Sequence, residues 1–309
     1  GAQEVMSLLD QWGIGVSQVI GVGGRDLSAG VGGLMAREAV RALDADPGTE
    51  VILLVSKPPD PDVARTVIGA SRSTPVVAAC LGMSAPDGRI GAALLADTLE
   101  QGALRVAQIL CQPVPEPSED LTGIIERAAA RMAGSRHAVR GFFTGGTLCY
   151  EAQVVLTRAL GPVYSNIPLS PDLGLPAPAG AHVCLDLGEE EYTKGRPHPM
   201  IDPAARTEIM RTEAFGDDIA AVLLDVVLGY GSHPDPAGQV AGTCADLVAG
   251  GAAVIAYVLG ARADRQGLDR QRRTLRDAGA IVTASAAEAA RVAAAVAARQ
   301  PALATAGRP

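Results

Sequence analysis

The densest group of chemically useful side chains lies at residues 189–206, "EEEYTKGRPHPMIDPAAR". Three glutamates, Lys194, Arg196, His198, Asp202 and Arg206 are packed there among three stiffening prolines. Histidine titrates near neutrality, so His198 is a candidate base or nucleophile, with Asp202 orienting its ring. The plainer reading is a surface loop in which Asp202 caps a helix with Pro203 in its first turn. A second stretch, "FFTGGTLCYE" (142–151), reads as β-prone residues, a tight glycine turn and the start of an amphipathic helix. Such a turn leaves the first helical N–H groups unpaired at the positive end of the helix dipole. Gly145, Gly146 and Thr147 are therefore candidates for holding a phosphate or carboxylate, unless the glycines serve only the turn.

Two further positions share this logic. Gly23, Gly24 and Arg25 end one predicted strand, and Lys57 ends another. In a doubly wound sheet the carboxyl ends of the strands face the ligand crevice. A turn that needs positive φ and a solvated lysine would explain the same residues. His233 in "GYGSHPDP" is a weaker candidate. Cys149 lies one turn inside the helix that follows the glycines, where a thiol is either acidified or buried.

Composition narrows the classes. A formal charge of -8 over 309 residues argues against a nucleic-acid partner. Charges interrupt every apolar run before it reaches the roughly 18 residues needed to span a bilayer, so no membrane partner is expected. No basic segment followed by an apolar stretch marks a secretory leader. The five cysteines are scattered without a C-x-x-C, as in a reducing cytoplasm. The four histidines sit at no metal-binding spacing, so no metal is expected.

Apolar strands without alternation, separated by helices, predict parallel sheets covered on both faces. In the first half the pattern predicts helices over 3–12, 33–43, 62–72 and 90–109, and strands over 16–24, 50–59 and 74–82. In the second half it predicts strands over 139–146, 182–188, 218–229, 252–260 and 280–285, alternating with helices. The expected organisation is a first domain at 1–110, a linker and helix at 111–135, a second domain at 136–299 and a disordered tail at 300–309. The halves match one another. Glu4 pairs with Glu151, "VGG" at 22–24 with "DLG" at 186–188, "PDP" at 59–61 with "PDP" at 234–236, and 74–82 with 252–260. The growing offset marks an internal duplication, with insertions in the second copy at about 162–203.

These motifs carry a resemblance. "GGTLCYE" (145–151) resembles a motif of the succinyl-CoA synthetase α-subunit, and "GVSQVIGVGG" (15–24) resembles the strand and turn that follow it in that family. Together with "RPHPMIDP" (196–203), the chain resembles FdrA proteins, a branch of the acyl-CoA synthetase superfamily. The resemblance implies two flavodoxin-like, three-layer α/β domains of the succinyl-CoA synthetase type. It also implies part of an enzyme that handles carboxylate, phosphate or CoA-type ligands (CoA, ATP or carbamoyl phosphate) with other protein subunits or as a homo-oligomer. FdrA proteins carry an N-terminal CoA-binding-like domain, which would precede Gly1. Two positions depart from the ligase pattern: Ala92 in "GRIGAA" (88–93) replaces the phosphorylated histidine, and Lys57 replaces a glutamate. A methyl group accepts no phosphoryl group. Three readings stay open: an acyl-CoA synthetase without that phosphohistidine, a subunit of an oxamate carbamoyltransferase in allantoin catabolism, and a non-catalytic ligand-binding or assembly subunit.

Overall fold

The computed structural model describes residues 1–85, 87–114 and 120–306. It divides into two compact units, Gly1–Glu116 and Pro117–Arg308. Part of the expected linker, 115–119, lies outside the described residues. No helix among those described is long and apolar enough to cross a membrane.

The first unit opens with helix α1 (Ala2–Gln11), which buries Val5, Leu8 and Leu9 at helical spacing. Helix α2 (Leu34–Asp44) begins after Gly33, whose φ of 70° and whose absent Cβ, 2.5 Å from Val67 Cγ2 if built, both require glycine. Strand β1 (Ile52–Ser56) is followed by α3 (Pro61–Ile68), capped by Asp60, and by the fully buried β2 (Val76–Cys80). Short strands β3 (Arg89–Ile90) and β4 (Ala93–Leu95) precede α4 (Leu99–Ile109), whose N-cap is Thr98. The sheet order is β1-β2-β4-β3, parallel except for β3 against β4.

Two sequence expectations fail here. Residues 90–98 are not helical: Gly91 at φ 58° turns the chain so that Ile90 pairs with Ala93, and the Thr98 cap delays the helix. Residues 16–24 form no strand. Val16, Val19 and Ile20 are exposed, and residues 15–22 make no backbone hydrogen bond among the described residues.

The second unit starts with α5 (Leu121–Arg131), whose Ile125 is fully buried. Strand β5 (Ala138–Phe143), α6 (Gly146–Leu160), β6 (Val163–Ser165) and β7 (His182–Asp186) follow. Then come α7 (Glu190–Thr193), α8 (Ala204–Glu213), β8 (Ile219–Val227) and α9 (Pro236–Ala249). Strand β9 (Ala253–Leu259), α10 (Leu268–Asp277), β10 (Ile281–Thr283) and α11 (Ala286–Ala298) complete it. All six strands are parallel, in the order β10-β9-β8-β5-β7-β6. The fold is thus α/β with parallel-dominated sheets flanked by helices. β6, inside the insertion, was not legible as a strand. The expected disordered tail is also corrected over its described part. Pro301–Thr305 forms a 3-10 turn in which Ala304 is buried and its carbonyl accepts from Arg291 Nε. The alanines of α11 are small enough to let that turn and α5 pack closely on it.

One surface carboxylate organises a loop of the first unit. Asp44 accepts from the N–H groups of Thr74, Arg72 and Ser73 at 2.8–3.1 Å and from the Ser71 and Ser73 hydroxyls. Those donors hold its carboxyl well below the usual carboxylate range. A folded pKa below the unfolded one gives stability that is full above roughly pH 4–5 and is lost as pH falls. Asp44→Ala should therefore lower the thermal midpoint of the first unit at pH 7, with a smaller gap from the parent at pH 3. An equal gap at both pH values would show that the carboxylate charge is not engaged.

Candidate functional site at the carboxyl edge of the six-stranded sheet

Chain direction reverses between β5 and β8: β5 leads through α6 to β6 on one side, and β8 through α9 to β9 on the other. Such switch points, at the carboxyl ends of parallel strands, are where open α/β sheets bind ligands. β5 runs out at Thr144, whose N–H and Oγ1–H both donate to Asp225 of β8, at 3.0 and 2.9 Å. Arg206 of α8 donates through Nη1 to Asp225 Oδ1 (3.0 Å) and to its carbonyl (2.6 Å). Both side chains are buried, at 1% and 2% relative exposure. Burial pushes the Asp225 carboxyl up and the Arg206 guanidinium down, while each charge counteracts the shift of the other.

Beside this pair the turn Gly145-Gly146 opens α6. No side chain caps the helix, and the N–H groups of Gly146, Thr147 and Leu148 have no partner among the described residues. Asp186, at the end of β7, links this helix start to the insertion. Its Oδ1 accepts from Gly188 N at 2.9 Å. Its Oδ2 lies against Gly146, where a Cβ would come within 2.9 Å. At Gly188 a Cβ would meet His198 Nε2 at 2.8 Å, Thr144 O at 3.0 Å and Asp186 Oδ1 at 3.1 Å. His198 is thus brought over the strand ends, and the glycine is what leaves room for its ring.

The ring has a defined role. His198 Nδ1 accepts from Met200 N at 3.3 Å, so the neutral imidazole carries its proton on Nε2. Partial burial lowers the His198 pKa, with the Asp225 charge opposing, so the ring is neutral at pH 7. Asp202 does not orient it. Asp202 Oδ1 accepts from Ala204 N at 3.0 Å in a turn just before α8, whose N-cap is Pro203 rather than the expected Asp202. His233 also serves structure: its N–H donates to Met200 O, and its Nδ1 accepts from Asp235 N. Cys149 is fully buried, and burial pushes its thiol well above the usual range.

The structure therefore brings Gly145, Gly146, Thr147 and His198 to one edge. In the first unit, Gly24 and Lys57 also meet: a Cβ on Gly24 would lie 3.6 Å from Lys57 Cε. Gly23 has φ 90° and Arg25 is exposed. Asp26, next to them, spends both carboxylate oxygens on the N–H groups of Met35 and Ala36, so the start of α2 is already capped. Ala92 sits exposed in the β3–β4 turn. Asp186 and Asp225 were missed from sequence. The signal was present, because an acid inside the apolar run "IAAVLLDVV" needs a buried partner.

The CoA-ligase family profile matches residues 142–296, from the end of β5 to α11. The chain belongs to the CoA-ligase family. A curated relative, the uncharacterized protein YahF of Escherichia coli (strain K12), is 38% identical over 299 residues. That alignment takes in 92% of this chain and 58% of YahF, so the chain spans little more than half of this relative. Among solved structures, PH0766 from Pyrococcus horikoshii OT3 is 11% identical over 86% of this chain and 56% of its own, with a TM-score of 0.36. A Methanosaeta concilii ATP citrate lyase in complex with (3S)-citryl-CoA is 12% identical over 85% and 37%, with a TM-score of 0.31. Those two likenesses are too distant to carry a conclusion.

The buried pair gives a test of what holds this edge together. Removing the cation strands the Asp225 charge among apolar neighbours. Arg206→Ala should destabilise the second unit by ~3–5 kcal/mol in urea unfolding. The pair Arg206→Met with Asp225→Leu should lose much less. A single-mutant loss below ~1 kcal/mol would show that Asp225 is neutral in the folded state.

Proposed function

We propose that the edge formed by α6, Asp186, Gly188 and His198 holds a small carboxylate or phosphate group in acyl-CoA-ligase-type chemistry of the FdrA kind, without a phosphohistidine at residues 88–93. One observation carries the reading. Three unpaired N–H groups at the start of a fifteen-residue helix and a neutral Nε2–H donor lie on either side of Asp186. Such donors suit an oxyanion, and the helix dipole adds ~0.5–2 kcal/mol. Asp186 already complements part of that dipole, so a free anion should bind weakly and depend on the His198 donor. CoA and ATP are the co-ligands this chemistry calls for, and partner subunits or a second copy would complete the catalytic assembly.

A second reading is carbamoyl transfer between oxalurate or oxamate and phosphate. Ala92 favours it, because carbamoyl transfer needs an oxyanion cradle but no phosphorylated side chain. Thermal melting with inorganic phosphate, CoA, ATP, carbamoyl phosphate and oxamate separates the two readings. Stabilisation by CoA supports the ligase reading; stabilisation by carbamoyl phosphate and oxamate alone supports the transferase.

Under either reading, phosphate should raise the melting temperature, and Gly146→Val should abolish that rise by pushing Asp186 and crowding the helix start. His198→Ala should leave the ligand-free melting within the ~0.5 kcal/mol typical of surface changes. It should weaken phosphate binding about tenfold, equivalent to ~1.4 kcal/mol. Unchanged binding in both variants would place the anion elsewhere. The imidazole itself should titrate below the ordinary histidine value of ~6.5 and show the Nε2–H tautomer in its nitrogen chemical shifts.

A further inference from the structure

The loop that follows β8 is longer than its counterpart in the first unit. Three residues, 57–59, separate β1 from Asp60 at the start of α3, whereas seven, 228–234, separate β8 from Asp235 at the start of α9. The shared scaffold does not need the extra length. The longer loop carries Gly229-Tyr230-Gly231, with Gly229 at φ 130°. Tyr230 is 90% exposed, so its ring is not there to fill a core. Arg265, in the loop after β9, lays its guanidinium over one face of that ring, 5.0 Å from the centroid. That is within the reach of a cation–π attraction, which fixes how the ring is held. The opposite face stays open to solvent.

The backbone beneath this pair is braced. Gln266, next to Arg265, is buried and reaches across to the tyrosine loop on both sides of Tyr230. Its Nε2–H group donates to the carbonyls of Gly229 at 2.7 Å and His233 at 3.3 Å, and its Oε1 accepts from Gly229 N at 3.4 Å. Its own carbonyl accepts from Arg270 Nη2 and Gln271 Nε2 of α10. Those two side chains also donate to Asp235 Oδ1, before α9. The two loops are thus tied together, and their ordering entropy is lost on folding rather than on binding. The same loop adjoins the candidate site, because His233 N donates to Met200 O, two residues from His198. Strands β5, β8 and β9 are neighbours in the sheet, roughly 5 Å apart from one to the next. Tyr230 and the start of α6 therefore share one rim.

We propose that Tyr230 is a stacking platform for the base of a purine nucleotide, with Arg265 as the positioning residue that holds its ring. An acyl chain would cover a flat ring poorly, whereas a heteroaromatic base matches its whole open face. The phosphates then run along the rim toward the N–H groups at the start of α6, a part that rests on the reading of that edge as an oxyanion site. ATP and CoA share the chemistry required, an adenine ring carrying phosphates. A contact between protein chains would use the same residue types. The position at the carboxyl ends of parallel strands is what favours a small ligand.

The test is calorimetric titration of the full chain with ADP, CoA, adenosine, ribose 5-phosphate and inorganic phosphate, together with the proton resonances of the Tyr230 ring. ADP or CoA should bind about tenfold more tightly than ribose 5-phosphate and move the Tyr230 ring protons upfield. Whichever of the two binds tighter identifies the source of the ring. Tyr230→Ala should weaken that binding about tenfold while leaving ligand-free melting and the response to inorganic phosphate unchanged. Tyr230→Trp should retain it, because a larger ring keeps the stacking face. Equal affinities for ADP, CoA and ribose 5-phosphate would overturn the proposal, as would a Tyr230→Ala chain that binds nucleotide like the parent. A smaller sedimenting mass for Tyr230→Ala, with nucleotide binding unchanged, would overturn it by making the pair a contact between copies of the chain. The two readings fail separately. If inorganic phosphate does not bind but adenosine still moves the Tyr230 resonances, the oxyanion edge falls and the platform stands. If inorganic phosphate binds and no purine does, the platform alone falls.

Discussion

The second unit depends on one buried ion pair. Asp225 sits in a strand whose nine residues are all buried, so its charge is tolerable only with a partner and with donors for the remaining lone pairs. Arg206 supplies the first and Thr144 the second. The consequence is positional. Thr144 fixes where β5 stops against β8, and hence where α6 begins. Arg206 ties the far end of the charged insertion beneath the same edge. His198, earlier in that insertion, is thereby carried over Gly188. A structural pair, itself buried, thus positions the groups at this edge.

The same arrangement decides what His198 can do. A histidine that accepts a phosphoryl group must offer a lone pair to it. Here Nδ1 spends its lone pair on Met200 N–H, and Nε2 carries the proton. Protonating the ring would set an Nδ1–H against the Met200 N–H, which opposes the cationic form in the same direction as burial does. In this geometry the ring offers a donor at Nε2 and no free lone pair for nucleophilic attack. The missing histidine at position 92 is therefore not replaced by this one.

Much of this was legible in sequence, and the failures share a cause. Long apolar strands such as β8 and β9 announced themselves because burial on both faces leaves no polar alternation to confuse. The duplication was visible because both copies kept their Asp-Pro helix starts. What could not be read locally was pairing. "VSQVIGV" has the composition of a strand, yet a strand exists only beside another, and among the described residues this segment pairs with none. Residues 90–98 continue the apolar spacing of α4, but one glycine at positive φ and one threonine cap outweigh that periodicity. The charged insertion looked uniformly solvated, and nothing local distinguished Arg206, which is buried, from Arg196, which is exposed. Asp202 sits one position before the Pro203 N-cap, bonding Ala204 N, while the His198 ring turns to the backbone two residues on.

The two units also differ in how they treat their edges. An unpaired strand is a liability that proteins blunt by shortening it, covering it or charging it. The first unit does this on one side with β3, two residues long and opened by Arg89. The other side is treated differently. There β1 is apolar, and Val19 and Ile20 stand roughly half exposed on a segment that lines the cavity beside it. β1 is accordingly buried only at Ile52, whereas β8, paired on both sides, is buried along its whole length.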